Sequence, residues 1–176
     1  MASTGRRDSE LAVGALVAYP PHGVGRIAAH STKVVRGVEE KVVVIEFGND
    51  LSVTLPLLRA HELLRPPVSN AGLRLVQDTL RADVVLSDET WPKRMTETQE
   101  RLRRGDPLEL AEIVRDAVRR DQRMTPGGTA SKLSASERAI YLRARESLAS
   151  EIGVVRGLGQ EDADAWIDEQ LAWTES

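Results

Sequence analysis

A chain of 176 residues with 41% hydrophobic and 29% charged residues has an ordinary globular balance and room for one domain or two small ones. It has no run near the roughly 18 apolar residues of a membrane helix, no apolar segment behind the polar start MASTGRRDSE to serve as a secretory leader, and no cysteine for disulfides or thiolate metal sites, which fits a reducing, cytoplasmic setting. The net charge of −3 hides a gradient: +1 over residues 1–68, +2 over 69–150 and −6 over 151–176, so no segment is basic enough to announce a nucleic-acid partner by charge alone.

Residues 1–10 read as a disordered tail. From Val13 to about Leu64 the pattern is short and β-rich. Ala15–Tyr19 (ALVAY) precedes a break at PPHG, Val24–His30 (VGRIAAH) is a second candidate strand, and Lys41–Phe47 (KVVVIEF) is the strongest, being rich in β-branched residues. Gly48-Asn49-Asp50 is a hairpin signal into Leu51–Leu55, which alternates apolar and polar. Four or five short strands in so few residues predict a small, strongly bent antiparallel barrel of the SH3 or Tudor kind over residues 11–66. Pro66-Pro67 and the following SNAG predict a linker at 67–72.

Beyond it, residues 73–176 carry helical periodicity. Leu73, Val76 and Leu80 mark one face of a first helix. A second starts near Trp91, with Thr90 as cap and Pro92 in the first turn, and stops at Gly105. Asp106-Pro107-Leu108-Glu109 has capping-box spacing and opens a third, whose apolar stripe is Leu110, Ala111, Val114 and Val118. After the loop MTPGGTASK, Ser134–Glu137 is a second capping box, and its helix aligns Ile140, Ala144, Leu148 and Ile152. A last, acidic helix puts Ala163, Trp166, Ile167 and Leu171 on one face. The fold class is therefore α+β in two domains: a small antiparallel β-barrel, then a compact all-helical domain.

Catalytic chemistry finds no foothold. Gly127–Lys132 (GGTASK) lacks the order of a phosphate-binding loop and follows no strand. His22-Gly23-Val24-Gly25-Arg26 is no dinucleotide fingerprint; its glycines fit a sharp turn of the barrel, and His22 a turn or packing role. The histidines, His22, His30 and His61, have no ligand spacing, so neither a catalytic residue nor a metal site nor a cofactor is expected. The cations are more telling. Arg94 and Arg101 share a helix face, and Arg115, Arg119 and Arg123 step by four along the next helix with Arg120 beside them. Such a ridge suits phosphate contact, but equally an ordinary solvated face laced with ion pairs. Trp91 divides the same way. It is either an anchor packed near Met95 or an exposed ring flanked by Lys93 and Arg94, the arrangement of a side chain that unstacks bases.

Several stretches together resemble the CarD/CdnL family of bacterial transcription regulators: VGALVAYPPHGVGRI at 13–27, the Trp-bearing helix start followed by LRRGDPLELAEIVRDAVRRDQ at 102–122, and LSASERAIYLRARESLASEI at 133–152. The resemblance spans roughly residues 11–172. It implies a Tudor-like domain that docks on the β subunit of RNA polymerase by extending a sheet edge, and a helical domain that brings a Trp to the upstream edge of the transcription bubble. There the ring wedges into the minor groove of promoter DNA and stabilises the open complex. Carried onto this sequence, the DNA-contacting set is Trp91, Lys93, Arg94, Arg119, Arg120 and Arg138. The polymerase-contacting set is Lys33 with the strand Ser52, Val53 and Thr54. The first domain also resembles the polymerase-binding module of transcription-repair coupling factors, but those carry a motor and this sequence shows no nucleotide-binding loop, so that assignment is not adopted. Thr90, Thr96 and Thr54 depart from common family residues, and the loop Arg123–Lys132 is longer than usual. The rival class is a protein–protein interaction module that touches no DNA. Membrane partners and small-molecule substrates are not expected.

Overall fold

The computed structural model describes residues 11–20, 22–48, 50–124, 126–127 and 131–173, so the tail at 1–10 and parts of the MTPGGTASK loop lie outside the described residues. The chain divides into two compact units, Met1–Pro67 and Val68–Ser176.

The first unit is a four-stranded antiparallel sheet in the order β1-β2-β3-β4, with β1 at Leu16–Tyr19, β2 at Gly23–Val35, β3 at Val38–Phe47 and β4 at Ser52–Pro56. Its inward residues, Val17, Ile27, Val43, Ile45 and Phe47, close a core with Leu11 and Ala60. The sheet curls through a register irregularity between Ile27 and Ala29, as bulged strands do. At the free edge of β1, Arg65 bridges back to Ala18 through Ala18 N–H to Arg65 O at 2.8 Å and Arg65 N–H to Ala18 O at 3.3 Å. The half-barrel thus has one edge bridged, and β4 forms the other.

The two glycines of the HGVGR motif differ in their work. Gly23 has φ +82°, as a sharp turn requires. Gly25 is instead needed for space: it lies between Val17 and Phe47, and a Cβ there would sit 2.8 Å from both Ile45 Cγ2 and Phe47 Cε1. His22 takes the expected turn role, its N–H donating to Tyr19 O at 2.8 Å and its ring lying near those of Tyr19 and Phe47.

Two features of this unit go beyond the sequence reading. Residues Leu57–Leu63, placed there in the β-rich stretch, form a short helix, α1, that buries Ala60. Seven residues are too few to display a helical period. The strands β2 and β3 also run much further than expected. They continue as a two-stranded ribbon, from Ser31 opposite Val42 to Val35 opposite Val38, past the reach of β1 and, beyond Val42, of β4. Arg36 and Gly37 close it with φ of +52° and +81°, a two-residue turn of the primed kind.

The second unit holds α2 (Asn70–Arg81), α3 (Trp91–Arg104), α4 (Pro107–Met124), α5 (Ala135–Arg156) and α6 (Gln160–Ala172). The predicted apolar faces meet in one core: Leu73, Val76 and Leu80 of α2, Met95 of α3, Leu110, Ala111 and Val114 of α4, Ile140, Ala144, Leu148 and Ile152 of α5, and Ala163, Trp166, Ile167 and Leu171 of α6. Helix α2 starts at Asn70, three residues ahead of its first predicted apolar position, because Ser69 Oγ caps it by accepting from Gly72 N–H at 3.1 Å. Gly105 ends α3 with φ +64°. The capping box at Ser134 and Glu137 is complete, both reciprocal bonds being formed. At α4, Asp106 Oδ1 accepts from Leu108 N–H and Glu109 N–H at 2.9 and 3.2 Å, but Glu109 pairs with Arg104 instead of returning to the cap. Helices α5 and α6 are clamped by Arg145, which donates to Asp164, Asp168 and the Tyr141 hydroxyl.

Candidate nucleic-acid interface

The irregular segment Ala82–Thr90 separates α2 from α3 and sets where α3 begins. Leu86 is buried and anchors the segment in the unit, whereas Val85 next to it is 91% exposed. Trp91 is the first residue of α3, with Pro92 behind it in the first turn. Thr90 occupies the cap position and its carbonyl accepts from Arg94 N–H at 3.0 Å, but its side chain makes no capping bond. The ring is 46% exposed, while Met95 one turn on is buried. The two residues thus part company: Met95 is the core anchor of the helix start, and Trp91 stands at its rim.

The cations around this ring fall into two groups. Lys93 is exposed and pairs with Glu89, and the pairing lowers the pKa of the carboxyl and raises that of the amine. Arg138, near the start of α5, is also exposed. Arg119 is half-buried and donates to Gln122 Oε1 at 3.4 Å. Arg94 and Arg120 are more committed. Arg94 donates to Glu89 O at 3.0 Å and to Glu137 Oε1 at 3.1 Å. Arg120 donates to Ser87 O at 3.3 Å, and its pKa is pulled down by burial first and by the neighbouring Arg94 second.

Arg115 corrects the sequence reading. The step-by-four pattern places it on a cationic ridge with Arg119 and Arg123, but it is buried against α2, donating to Thr79 O at 3.2 Å and to Asp116 Oδ1 at 2.8 Å. Its position one residue from Val114 brings it under the edge of the apolar stripe. Arg101 pairs with Glu112 at 3.0 Å. A cavity of about 290 Å³ lies beside the Trp91 helix, floored by Met95, Ile113 and Ile140 and rimmed by Arg94, Arg120 and Glu137.

Glu137 is the residue that sequence reasoning placed correctly and understood incompletely. Its capping partner is three residues away and legible, whereas its ion-pair partner Arg94 is 43 residues away in sequence. Burial alone would raise its pKa. The bonds from the Ser134 side chain and backbone, and from Arg94, outweigh that and hold it below the usual carboxylate range.

In the first unit, Lys33 projects from the ribbon opposite Glu40. Ser52 and Thr54 are exposed on the edge strand β4, while Val53 between them turns toward the core. Among the described residues no group of three or more His, Cys, Asp or Glu side chains is placed to hold a metal ion, and no helix is long and apolar enough to cross a membrane.

A family model described as CarD, C-terminal domain, matches residues 75–168, and one described as CarD-like/TRCF RID domain matches residues 11–68. The chain is also 26% identical over 151 residues to the "Putative transcription factor YdeB" of Bacillus subtilis (strain 168), covering 83% of this chain and 92% of that protein.

Proposed function

The chain belongs to the CarD family, and from that premise we propose that it is a non-enzymatic transcription regulator that docks on the β subunit of RNA polymerase and stabilises the open promoter complex. Its relatives support a transcription-related, polymerase-interacting role. The finer reading rests on one observation, the half-exposed Trp91 ring at the first position of a helix, with exposed Lys93 beside it and Met95 taking the core position in its place. A flat ring so mounted can wedge into the minor groove at the upstream edge of the bubble. Lys93, Arg119 and Arg138 supply phosphate contacts around it, and Arg94 and Arg120 stand behind it. Docking uses the free edge of β4 at Ser52–Thr54, where an added strand would find unpaired backbone groups, together with Lys33.

A docked helical unit acts at high local concentration, so weak intrinsic DNA affinity suffices. This is how a segment of charge +2 can act on DNA. The ring shifts the equilibrium only by the difference between its contacts to open and closed DNA. A difference of about 1.4 kcal/mol would shift the ratio of open to closed complex about tenfold. The test is Trp91→Ala: polymerase binding stays as in the parent protein and the open complex decays several-fold faster. An unchanged lifetime removes the wedge role.

A second reading is favoured by a specific observation. Arg94, Arg101, Arg104, Arg115 and Arg145 are all engaged by acidic side chains of the same unit, as in a helical adaptor that binds a protein. In that case polymerase binding persists, but crosslinks from position 91 go to protein and none to promoter DNA.

A further inference from the structure

We infer that Arg94, Arg120 and Arg123 act as positioning residues, a set of guanidinium props that hold the segment Ala82–Thr90 and thereby fix the attitude of Trp91. The inference rests on the wedge role proposed for that ring.

An irregular nine-residue segment leaves backbone carbonyls that must find donors outside a helix or sheet ladder. Here arginines supply them. Arg123 Nη2 donates to Val84 O at 3.3 Å, Arg120 Nη2 to Ser87 O at 3.3 Å and Arg94 Nη1 to Glu89 O at 3.0 Å. Arg115 does the same to Thr79 O at the preceding end of α2. The three props reach the segment at its third, sixth and eighth residues, the last of them two positions before Trp91. Apolar burial gives little help, since Leu86 is the buried apolar side chain of the segment and Val85 beside it is in solvent. Thr90 adds no side-chain cap. Arg94 is itself held, through Glu137, to Ser134 N–H and Oγ at the start of α5. The ring is therefore referenced to α5 as well as to α4.

A planar fork with five N–H groups can hold a carbonyl and leave donors over, whereas an ammonium on a flexible stem cannot keep the same geometry. Replacing arginine by lysine thus keeps the charge that attracts phosphate and loses the prop. This separates positioning from phosphate contact, because losing a phosphate contact lowers the salt slope of DNA binding by about 1.

The experiment uses the full chain carrying Arg120→Lys and Arg123→Lys together. Amide hydrogen exchange over residues 83–90 and the ¹⁹F spectrum of 5-fluorotryptophan-labelled protein, with the Trp91 line assigned by Trp91→Phe, are read without polymerase. Open-complex lifetime and its salt dependence are read with it. The expected result is exchange at least tenfold faster over 83–90, a displaced or broadened Trp91 line and an unchanged salt slope. Lifetime falls toward that of Trp91→Ala, with little further loss when the two changes are combined. Exchange and fluorine spectra like those of the parent protein overturn the inference. So does a loosened segment with a normal lifetime when Trp91→Ala shortens it. If Trp91→Ala itself has a normal lifetime, the wedge reading fails, and the two polymerase-free readouts still decide whether the props hold the segment.

Discussion

Glu137 carries more of the helical unit than one side chain on a partly exposed helix usually does, and its removal is predicted to show this. Its carboxylate accepts from Ser134 N–H at 3.0 Å, from Ser134 Oγ at 2.7 Å and from Arg94 Nη2 at 3.1 Å. The capping box is worth about 1 kcal/mol. The charge-assisted bond to Arg94 joins side chains only 14% and 22% exposed, so solvent screens it weakly. Such bonds are worth roughly 1.5–3 kcal/mol, and the lower end applies because Arg94 keeps Glu89 O as a partner. Glu137→Ala should therefore cost about 2–3 kcal/mol. Glu137→Gln, which keeps an acceptor for Ser134 and loses the charge, should cost about half as much. Urea unfolding followed by tryptophan fluorescence measures this cleanly, since Trp91, Trp166 and Trp173 all lie in the second unit. A double-mutant cycle with Arg94→Met should return a coupling above about 0.5 kcal/mol. A loss for Glu137→Ala under about 0.5 kcal/mol, the scatter of ordinary surface changes, would refute the reasoning.

Gly25→Ala should destabilise the first unit by about 1–3 kcal/mol, the usual cost of overpacking, because the new Cβ meets Ile45, Phe47 and the Glu46 carbonyl; faster amide exchange confined to the strands of the first unit is the expected sign, and exchange like that of the parent protein would count against it. Arg145→Lys should loosen α6 from α5, since an ammonium cannot serve Asp164, Asp168 and Tyr141 at once; faster amide exchange confined to 160–172 is the expected sign, and uniform exchange across the unit would count against it. Acid should weaken the second unit through Glu137. A carboxyl whose pKa is lower in the folded chain contributes stability that is fully present above the ordinary Glu value of about 4.3 and is lost as pH falls through the lowered one. Glu137→Gln should flatten the fall in urea midpoint over that acidic window, and an equally steep fall would remove Glu137 as its source.

Much of this molecule was legible because its signals are local. The helix faces from Leu73 to Leu171, the stop at Gly105 and the capping box at Ser134 are periodicities and short-range hydrogen-bond motifs, and they hold in the structure. What sequence could not show depends on tertiary context. The position of Arg115 in a step of four says nothing of whether α2 will lie over it, and it does. Arg94 and Arg120 look like free cations in sequence, yet they are engaged by acceptors 43 and 33 residues away. The ribbon escaped notice because its turn, Arg36-Gly37, lacks the Asn-Gly or Asp-Gly that usually marks a tight hairpin. Periodicity does not say which residue of the α3 start enters the core; packing decides it, with Met95 buried and Trp91 half-exposed.

The ribbon beyond the sheet also has a bearing on how the protein behaves when concentrated. Between Ser31–Val35 and Val38–Lys41 its two strands pair with each other and leave both flanks bare, and Val34 and Val38 are each 68% exposed. Bare flanks invite another copy to zip on, and proteins blunt that tendency with charge. Lys33, Arg36, Glu39, Glu40 and Lys41, interleaved with the valines, are that guard. Neutralising them should raise the tendency of the ribbon to pair edge to edge with another copy.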